Sequence, residues 1–344
     1  MQRVALGEAR VCVLYGGRSG EREVSLATGR AVLDALPRAS EAPASVVGVE
    51  IDPQGRWVTP EGACAPAAAL EQLAGVDVFF LGLHGGEGEN GGLQGMLAMH
   101  GLPHTGSAAG PSALGMDKEH ARRLARSLGL RTPEGRVLRT SDWEAEQAQV
   151  RAELERWGDS RRVVKPRRGG SSVATRILGP EEALEPAVEE ILALGDEVLL
   201  ERAVDGVELT CPVLGNRDRA GRALTPVEVV PDPGRFFDYE QKYDPEHQAQ
   251  ELCPPVHASA AAIEAVRRAA LDVHECFRLD GYSRTDFLLP PDSDEPVFLE
   301  VNTLPGLTPQ SIFPKSAAHD GLPFAELCAE LVRLALAAPP WCVL

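Results

Sequence analysis

Apolar runs ended by glycines divide the chain before any other feature does. VCVLYGG (11–17) is such a run, and SGEREVSLATGRAVLDAL follows with helical spacing, Leu26, Leu33 and Leu36 falling on one face. Strand, glycine turn and helix in that order predict a parallel α/β sheet. VDVFFLGLHGG (76–86) repeats the theme, with GGLQGMLAMHG as the next helix. The first 115 residues therefore read as an open α/β domain. MDKEHARRLARSLGL predicts a helix, and RRVVKPRRGGSSVATRIL predicts strand, Gly/Ser loop and strand. GPEEALEPAVEEILALG reads as a helix with Pro180 near its start and Gly195 at its end, and EVLLERAV as a strand. Residues 116–205 thus form a small α+β unit, and residues 206–344 a larger sheet. In that last unit Ile263, Val266, Ala270, Val273 and Phe277 recur at three- and four-residue spacing, the buried stripe of a helix. PDPGRFFDYEQKYDPEHQAQELCPP (231–255) has no apolar period, and a long irregular loop in a compact domain suggests a functional lid.

Two segments break the alternation expected of strands that pack on a core. GYSRTDFLL carries Arg284 and Asp286 two apart, and VFLEVN carries Glu300 and Asn302 two apart. A strand alternates its faces with period two, so each pair shares a face. If the two strands form a hairpin, one face gathers an arginine, two acids and an amide. Hard oxygen donors of this kind suit Mg²⁺. The plain alternative is a solvated sheet face. The loop LPGLTPQS after Asn302 adds backbone N–H groups and Ser311 beside the same face.

Composition sharpens this picture at one point. The chain has 344 residues and a formal net charge of −17, which argues against binding a phosphate backbone. No apolar run reaches membrane-span length, the N-terminus lacks a signal-peptide core, and the seven cysteines form no CxxC. A reduced, cytoplasmic protein is expected, with neither nucleic acid nor membrane as partner. Only four of the 34 basic residues are lysines: Lys118, Lys165, Lys242 and Lys315. A compact ammonium suits phosphate oxygens in a cleft where a planar guanidinium does not. VVKPRRGGSSVAT places Lys165 before a Gly/Ser loop, a plausible phosphate cradle or an ordinary hairpin turn. GGRSGEREVSL puts Glu21 at a helix start, where it compensates the helix dipole or holds an ammonium. EVLLERAVDGVELT carries Glu201 and Glu208 around a crossover between sheets, as base and ribose contacts or as plain surface acids.

In order along the chain stand GGRSGEREVSL, HGGEGENGGLQG, MDK, VKPRRGGSSV, LLERAVDGVELT, FFDYEQKY, GYSRTDF and LEVNTLPGLTPQS. Together they resemble the D-alanine–D-alanine ligase family of ATP-grasp enzymes, from about Val11 to about residue 335. The resemblance implies an ATP-grasp fold of three domains (1–115, 116–205 and 206–344), opening on a parallel α/β sheet. It implies that ATP phosphorylates one D-alanine and that a second D-alanine attacks the acyl phosphate, in peptidoglycan precursor synthesis. Lys118, Lys165 and Lys242 would contact the ATP phosphates; Glu201, Arg202, Val204 and Glu208 would line the adenine and ribose. Asp286, Glu300 and Asn302 would bind two Mg²⁺ (or Mn²⁺), with Glu300 bridging. Glu21 would hold the first ammonium, with His84 nearby. Arg284 and the Gly306 N–H would stabilise the acyl phosphate and oxyanion; Ser311 and Ile312 would hold the second carboxylate. Glu21, Ser171 and Tyr243 resemble the family's hydrogen-bonded triad. Members are often dimers, which makes a homodimer the expectation, although no stretch marks its interface. Asn90, Ala174 and Arg202 depart from the family's usual Asp, Gly and Lys. The rivals are a sister ligase that takes D-serine or D-lactate second, and a module that binds Mg·ATP without catalysis.

Overall fold

The computed structural model describes residues 4–170, 174–217, 221–231, 249–291 and 293–338. The side chains of 140–142, 144 and 146 are also outside the description.

The first sheet is built from β1 (Arg10–Gly16), β2 (Ser45–Ile51), β3 (Trp57–Thr59), β4 (Gly62–Cys64) and β5 (Val78–Leu81), in the order β4-β3-β2-β1-β5. β1 runs parallel to both β2 and β5, as the strand–turn–helix rhythm requires. β3 and β4 are an addition: they pair antiparallel at the edge. With three residues each they are too short to show alternation, so sequence pattern passes over them. Helix α1 (Arg22–Ala35) lies on this sheet because Gly29 lets it approach. A Cβ there would come within 2.2 Å of the Tyr15 ring. Ser25 fixes the turn between strand and helix, its hydroxyl accepting the Gly16 N–H at 2.8 Å and donating to the Gly82 carbonyl at 2.6 Å.

Helices α2 (Pro66–Gln72), α3 (Gly86–Glu89), α4 (Gly92–Met99) and α5 (Ala109–Met116) lead to α6 (Lys118–Ser127). Asp117 caps α6, accepting the His120 N–H at 3.1 Å. The second sheet has the order β6-β9-β7-β8: β6 (Gly135–Leu138), β7 (Arg162–Pro166), β8 (Arg176–Leu178) and β9 (Val198–Arg202), all antiparallel. It carries α7 (Thr140–Trp157) and α8 (Glu185–Ala193). Helix α8 begins five residues later than Pro180 suggested. Pro186 takes the first-turn position there, while Pro180 lies in the preceding turn. Gly195 (φ +81°) ends it as expected.

The third sheet is antiparallel: β10 (Val207–Leu214), β11 (Arg222–Ala223), β12 (Val227–Val230), β13 (Gln250–Leu252), β14 (Tyr282–Leu289) and β15 (Val297–Asn302). Its main order is β13-β12-β10-β14-β15. Helix α9 (Ala260–Cys276) buries Val266, Ala270 and Val273 against Leu209, Phe287 and Phe298. Ile263 is only half-buried. One face of the sheet is thereby apolar, and period two sends Glu208, Thr210, Arg284 and Asp286 to the other. Helices α10 (Ile312–His319) and α11 (Phe324–Ala337) follow. Helix α11 returns to the beginning of the chain, where Leu327, Leu331 and Val332 share a core with Val32, Leu36 and Phe80. Six described cysteines are unpaired, and among the described residues no helix is long and apolar enough to cross a membrane.

Candidate functional site

The hairpin inferred from GYSRTDF and LEVN exists, and its register sets the site. Arg284 lies opposite Asn302 and Asp286 opposite Glu300. The next pair is Phe287 with Phe298, so Leu299 is an extra residue, a bulge that re-aims the strand end beside the acids. Asp286 is the hub of this face. Its oxygens accept from Arg284 Nε at 2.9 Å and Nη2 at 2.8 Å, from Thr210 Oγ1 at 2.5 Å, and from Asn302 Nδ2 at 3.1 Å. Burial alone would pull the Arg284 guanidinium down, but the Asp286 carboxylate reverses this and holds it above the ordinary arginine range. Thr210 was not singled out from the sequence, although its parity with Glu208 marks the shared face.

Above this face a cleft of about 510 Å³ opens between the second and third sheets, lined by Lys118, Lys165, Val204, Glu208, Asp286 and Glu300 among others. Both lysines are largely buried and seated by acids. Lys118 Nζ lies 3.5 Å from Glu300 Oε2, and Lys165 Nζ lies 2.7 Å from Glu201 Oε2. The other Glu201 oxygen lies 3.2 Å from Nε of Arg122, a fully buried guanidinium. The Glu201 carboxylate is therefore spent on two cations. Glu201 lines the cleft together with Arg202 and Val204. Arg202 Nε donates to Ser160 Oγ at 2.9 Å. Arg122 lay hidden in a charged helix, where nothing distinguishes a buried arginine from its exposed neighbours. The start of α6, which carries Lys118, is clamped to the end of β7, which carries Lys165. The Lys118 N–H donates to the Arg167 carbonyl at 3.1 Å, and the Arg167 guanidinium meets Asp117 at 2.7 Å.

The first sheet closes one end of the site. Glu21 stands just before α1 with its carboxylate against the Gly85 and Gly170 backbones; a Cβ on Gly85 would lie 2.4 Å from Glu21 Oε2. His84 is buried, and both its nitrogens are engaged, Nε2 with Thr28 Oγ1 at 2.8 Å and Nδ1 with the Leu304 carbonyl at 3.1 Å. Burial pulls its pKa down to about 4, so it is a neutral tether between loops. Glu89, passed over within HGGEGENGG, is buried next to Glu21. Desolvation and the Glu21 charge push its carboxyl up to about 8, against a hydrogen bond from the Gly85 N–H at 3.0 Å. Beyond β15, Ser311 precedes α10, whose first residue is Ile312. Ser311 Oγ meets Thr308 Oγ1 at 2.8 Å and would lie 3.0 Å from a Cβ on Gly306. Ser171, Lys242 and Tyr243 lie outside the described residues.

The oxygen set fits a hard divalent ion. Asn302 gives its Nδ2 to Asp286, which leaves its carbonyl oxygen as a donor on the same face as Asp286 and Glu300. Among the described residues no three His, Cys, Asp or Glu side chains gather at one point. Two carboxylates and an amide are too few for an octahedral ion, whose other positions suit phosphate oxygens and water.

Comparison with known proteins agrees with this geometry. Residues 10–69 match the family described as D-ala D-ala ligase N-terminus, and residues 124–333 match D-ala D-ala ligase C-terminus. The D-alanine–D-alanine ligase of Halalkalibacterium halodurans is 35% identical over 95% of this chain and 99% of its own. That of Nitratidesulfovibrio vulgaris is 38% identical over 96% and 99%. Among solved structures, the Bacillus anthracis D-alanine–D-alanine ligase complexed with ATP superimposes with a TM-score of 0.76 at 26% identity, covering 96% of this chain and 98% of that one. The VanG D-Ala:D-Ser ligase of Enterococcus faecalis does so with a TM-score of 0.80 at 28% identity, covering 95% and 99%.

Proposed function

The chain belongs to the D-alanine–D-alanine ligase family, and from that premise we infer how its residues divide the reaction. It is an ATP-grasp enzyme that joins two D-alanines to D-alanyl-D-alanine, with ADP as co-product, for peptidoglycan synthesis. The observation that best supports the assignment of roles is the paired register of Arg284 with Asn302 and Asp286 with Glu300, beneath a cleft that presents Lys118 and Lys165.

ATP lies in that cleft, with the chain around Arg202 and Val204 at the base and Glu208 accepting from the ribose. Lys118, Lys165 and Lys242 meet the phosphate oxygens. Asp286, Glu300 and Asn302 would hold two Mg²⁺ or Mn²⁺, which supply charge neutralisation on the transferred phosphoryl group. Glu21 orients the first D-alanine by its ammonium. Arg284, kept charged by Asp286, and the Gly306 N–H take the negative charge that develops on the acyl oxygen. Ser311 and the Ile312 N–H at the start of α10 receive the second carboxylate. Glu21, Ser171 and Tyr243 orient the attacking amine, and the segment PDPGRFFDYEQKY, most of which lies outside the described residues, acts as the lid that keeps water from the acyl phosphate. We assign the base and phosphate site to the junction of the units 116–205 and 206–344, and the first D-alanine to unit 1–115. The enzyme works in the cytoplasm, as a homodimer.

The likeness to a D-Ala:D-Ser ligase favours one second reading, in which the second substrate differs. Phosphate release with Mg·ATP and D-alanine, repeated with D-serine or D-lactate added and products identified by mass, separates the two. D-alanyl-D-alanine as the main product is the expected result. A mixed product alone would move the specificity, and no turnover with ATP bound would remove the ligase assignment.

A further inference from the structure

Glu228, on β12, is 2% exposed, and among the described residues its carboxylate bonds two consecutive ones. Its Oε2 accepts the Val256 N–H at 2.8 Å and the His257 N–H at 2.9 Å, while its Oε1 takes His257 Nδ1 at 2.5 Å. A buried carboxylate costs several kcal/mol unless its oxygens are satisfied, so this expenditure fixes one side chain, the His257 imidazole. Burial would raise the Glu228 carboxyl, but these three donors outweigh it and hold it below the usual range, so it stays charged.

The imidazole it fixes is 62% exposed and stands where two cavities meet. One is the nucleotide cleft. The other, of about 570 Å³, shares with it Gly206, Val207 and His257 and continues past Ser259 and Pro290. With Nδ1 committed to Glu228, the remaining ring nitrogen, Nε2, has no partner among the described residues. The phosphate end of the cleft is marked by Lys118, Lys165 and Glu300. His257 lines the part of the cleft shared with the second cavity, with Gly206 and Val207, next in sequence to Glu208. A hydroxyl suits Nε2 in either protonation state, since it can donate to the neutral ring or accept from the charged one.

We propose that His257, held by Glu228, is a nucleotide-contacting residue whose Nε2 takes the 2′/3′-hydroxyl edge of the ribose, and that it walls this edge off from the second cavity. The proposal rests on the ATP site assigned above. His257→Ala would then act in opposite directions on two ligands. It removes a hydroxyl partner from ATP, and it opens the second cavity to a ribose carrying a bulky 2′/3′-O substituent.

The experiment is equilibrium binding of ATP and of a 2′(3′)-O-anthraniloyl ATP to the wild-type and His257→Ala enzymes, with Glu228→Gln as a second variant. ATP should bind the alanine variant about three- to tenfold more weakly, in line with one lost hydrogen bond, while the substituted nucleotide binds as well or better. Glu228→Gln should weaken ATP in the same direction, because it frees the ring. Equal weakening of both ligands would mean a structural effect and overturn the proposal, as would no change in either. Binding alone is read, so a wild-type enzyme that binds ATP but makes no dipeptide would refute the ligase assignment and leave this test intact.

Discussion

Lys165 and Glu201 form an ion pair at 2.7 Å whose far side is the fully buried Arg122 guanidinium, 3.2 Å away. One carboxylate on β9 thus seats a cleft lysine on β7 and faces an arginine on α6. Glu201→Gln leaves Arg122 with Glu119, 3.3 Å from its Nη1, as its remaining counter-charge, and leaves Lys165 without its carboxylate. We expect a stability loss of about 1–3 kcal/mol, read by denaturant titration, together with a raised KM for ATP. Unchanged stability would show that Glu119 alone suffices for the arginine.

Glu300 faces Asp286 across the hairpin and Lys118 across the cleft. Glu300→Gln keeps the shape and removes the charge. Turnover should fall by roughly 10²–10⁴-fold while circular dichroism and melting temperature stay near wild type. Turnover within a few-fold of wild type would sink its assignment as the metal bridge.

Glu89 titrates in the folded protein at about 8 against 4.5 for an ordinary glutamate. Between those values the native state holds a proton that the unfolded chain has lost. Stability is therefore greatest below the lower value and declines as pH rises through the upper one. Glu89→Gln should flatten this alkaline decline in the enzyme without substrates, measured by urea unfolding from pH 5 to 9. A slope identical to wild type would place the titration elsewhere.

His84 works in the opposite direction. Its folded value of about 4 lies below the ordinary 6.5, so the unfolded chain binds the extra proton and stability falls as pH drops through that window. His274, buried between Ser283 and the Gly215 carbonyl and likewise pulled down to about 4, shares the effect. His84→Asn should reduce the acid slope without abolishing it. Complete loss of the slope in this variant would exclude the His274 contribution.

The sequence showed the chemistry of the hairpin because strand alternation is strict: Arg284 with Asp286, and Glu300 with Asn302, can only share a face. It did not show which residue meets which, since that depends on the bulge at Leu299, and a bulge leaves no mark in a run of apolar letters. Glu21 and Lys165 stood out by their place beside glycine loops, and the lysines as a group by their rarity. The commitments of Glu201 and His84 did not, because each is decided by partners more than thirty residues away, Lys165 for one and Leu304 for the other. Pro180 misled for a local reason: Pro186, in the same segment, fits the first helical turn equally well.

Helix α11 supplies Leu327, Leu331 and Val332 to the core that covers the opening strands and α1. During synthesis those strands leave the ribosome well before α11, and the apolar side that α11 covers waits for it. At elongation speeds of roughly 5–20 residues per second, the interval is on the order of tens of seconds. For that time the first sheet presents a sticky surface in a crowded cell. A sheet made early is thus finished late, and a ribosome that stalls before Phe324 releases a product with that surface still open.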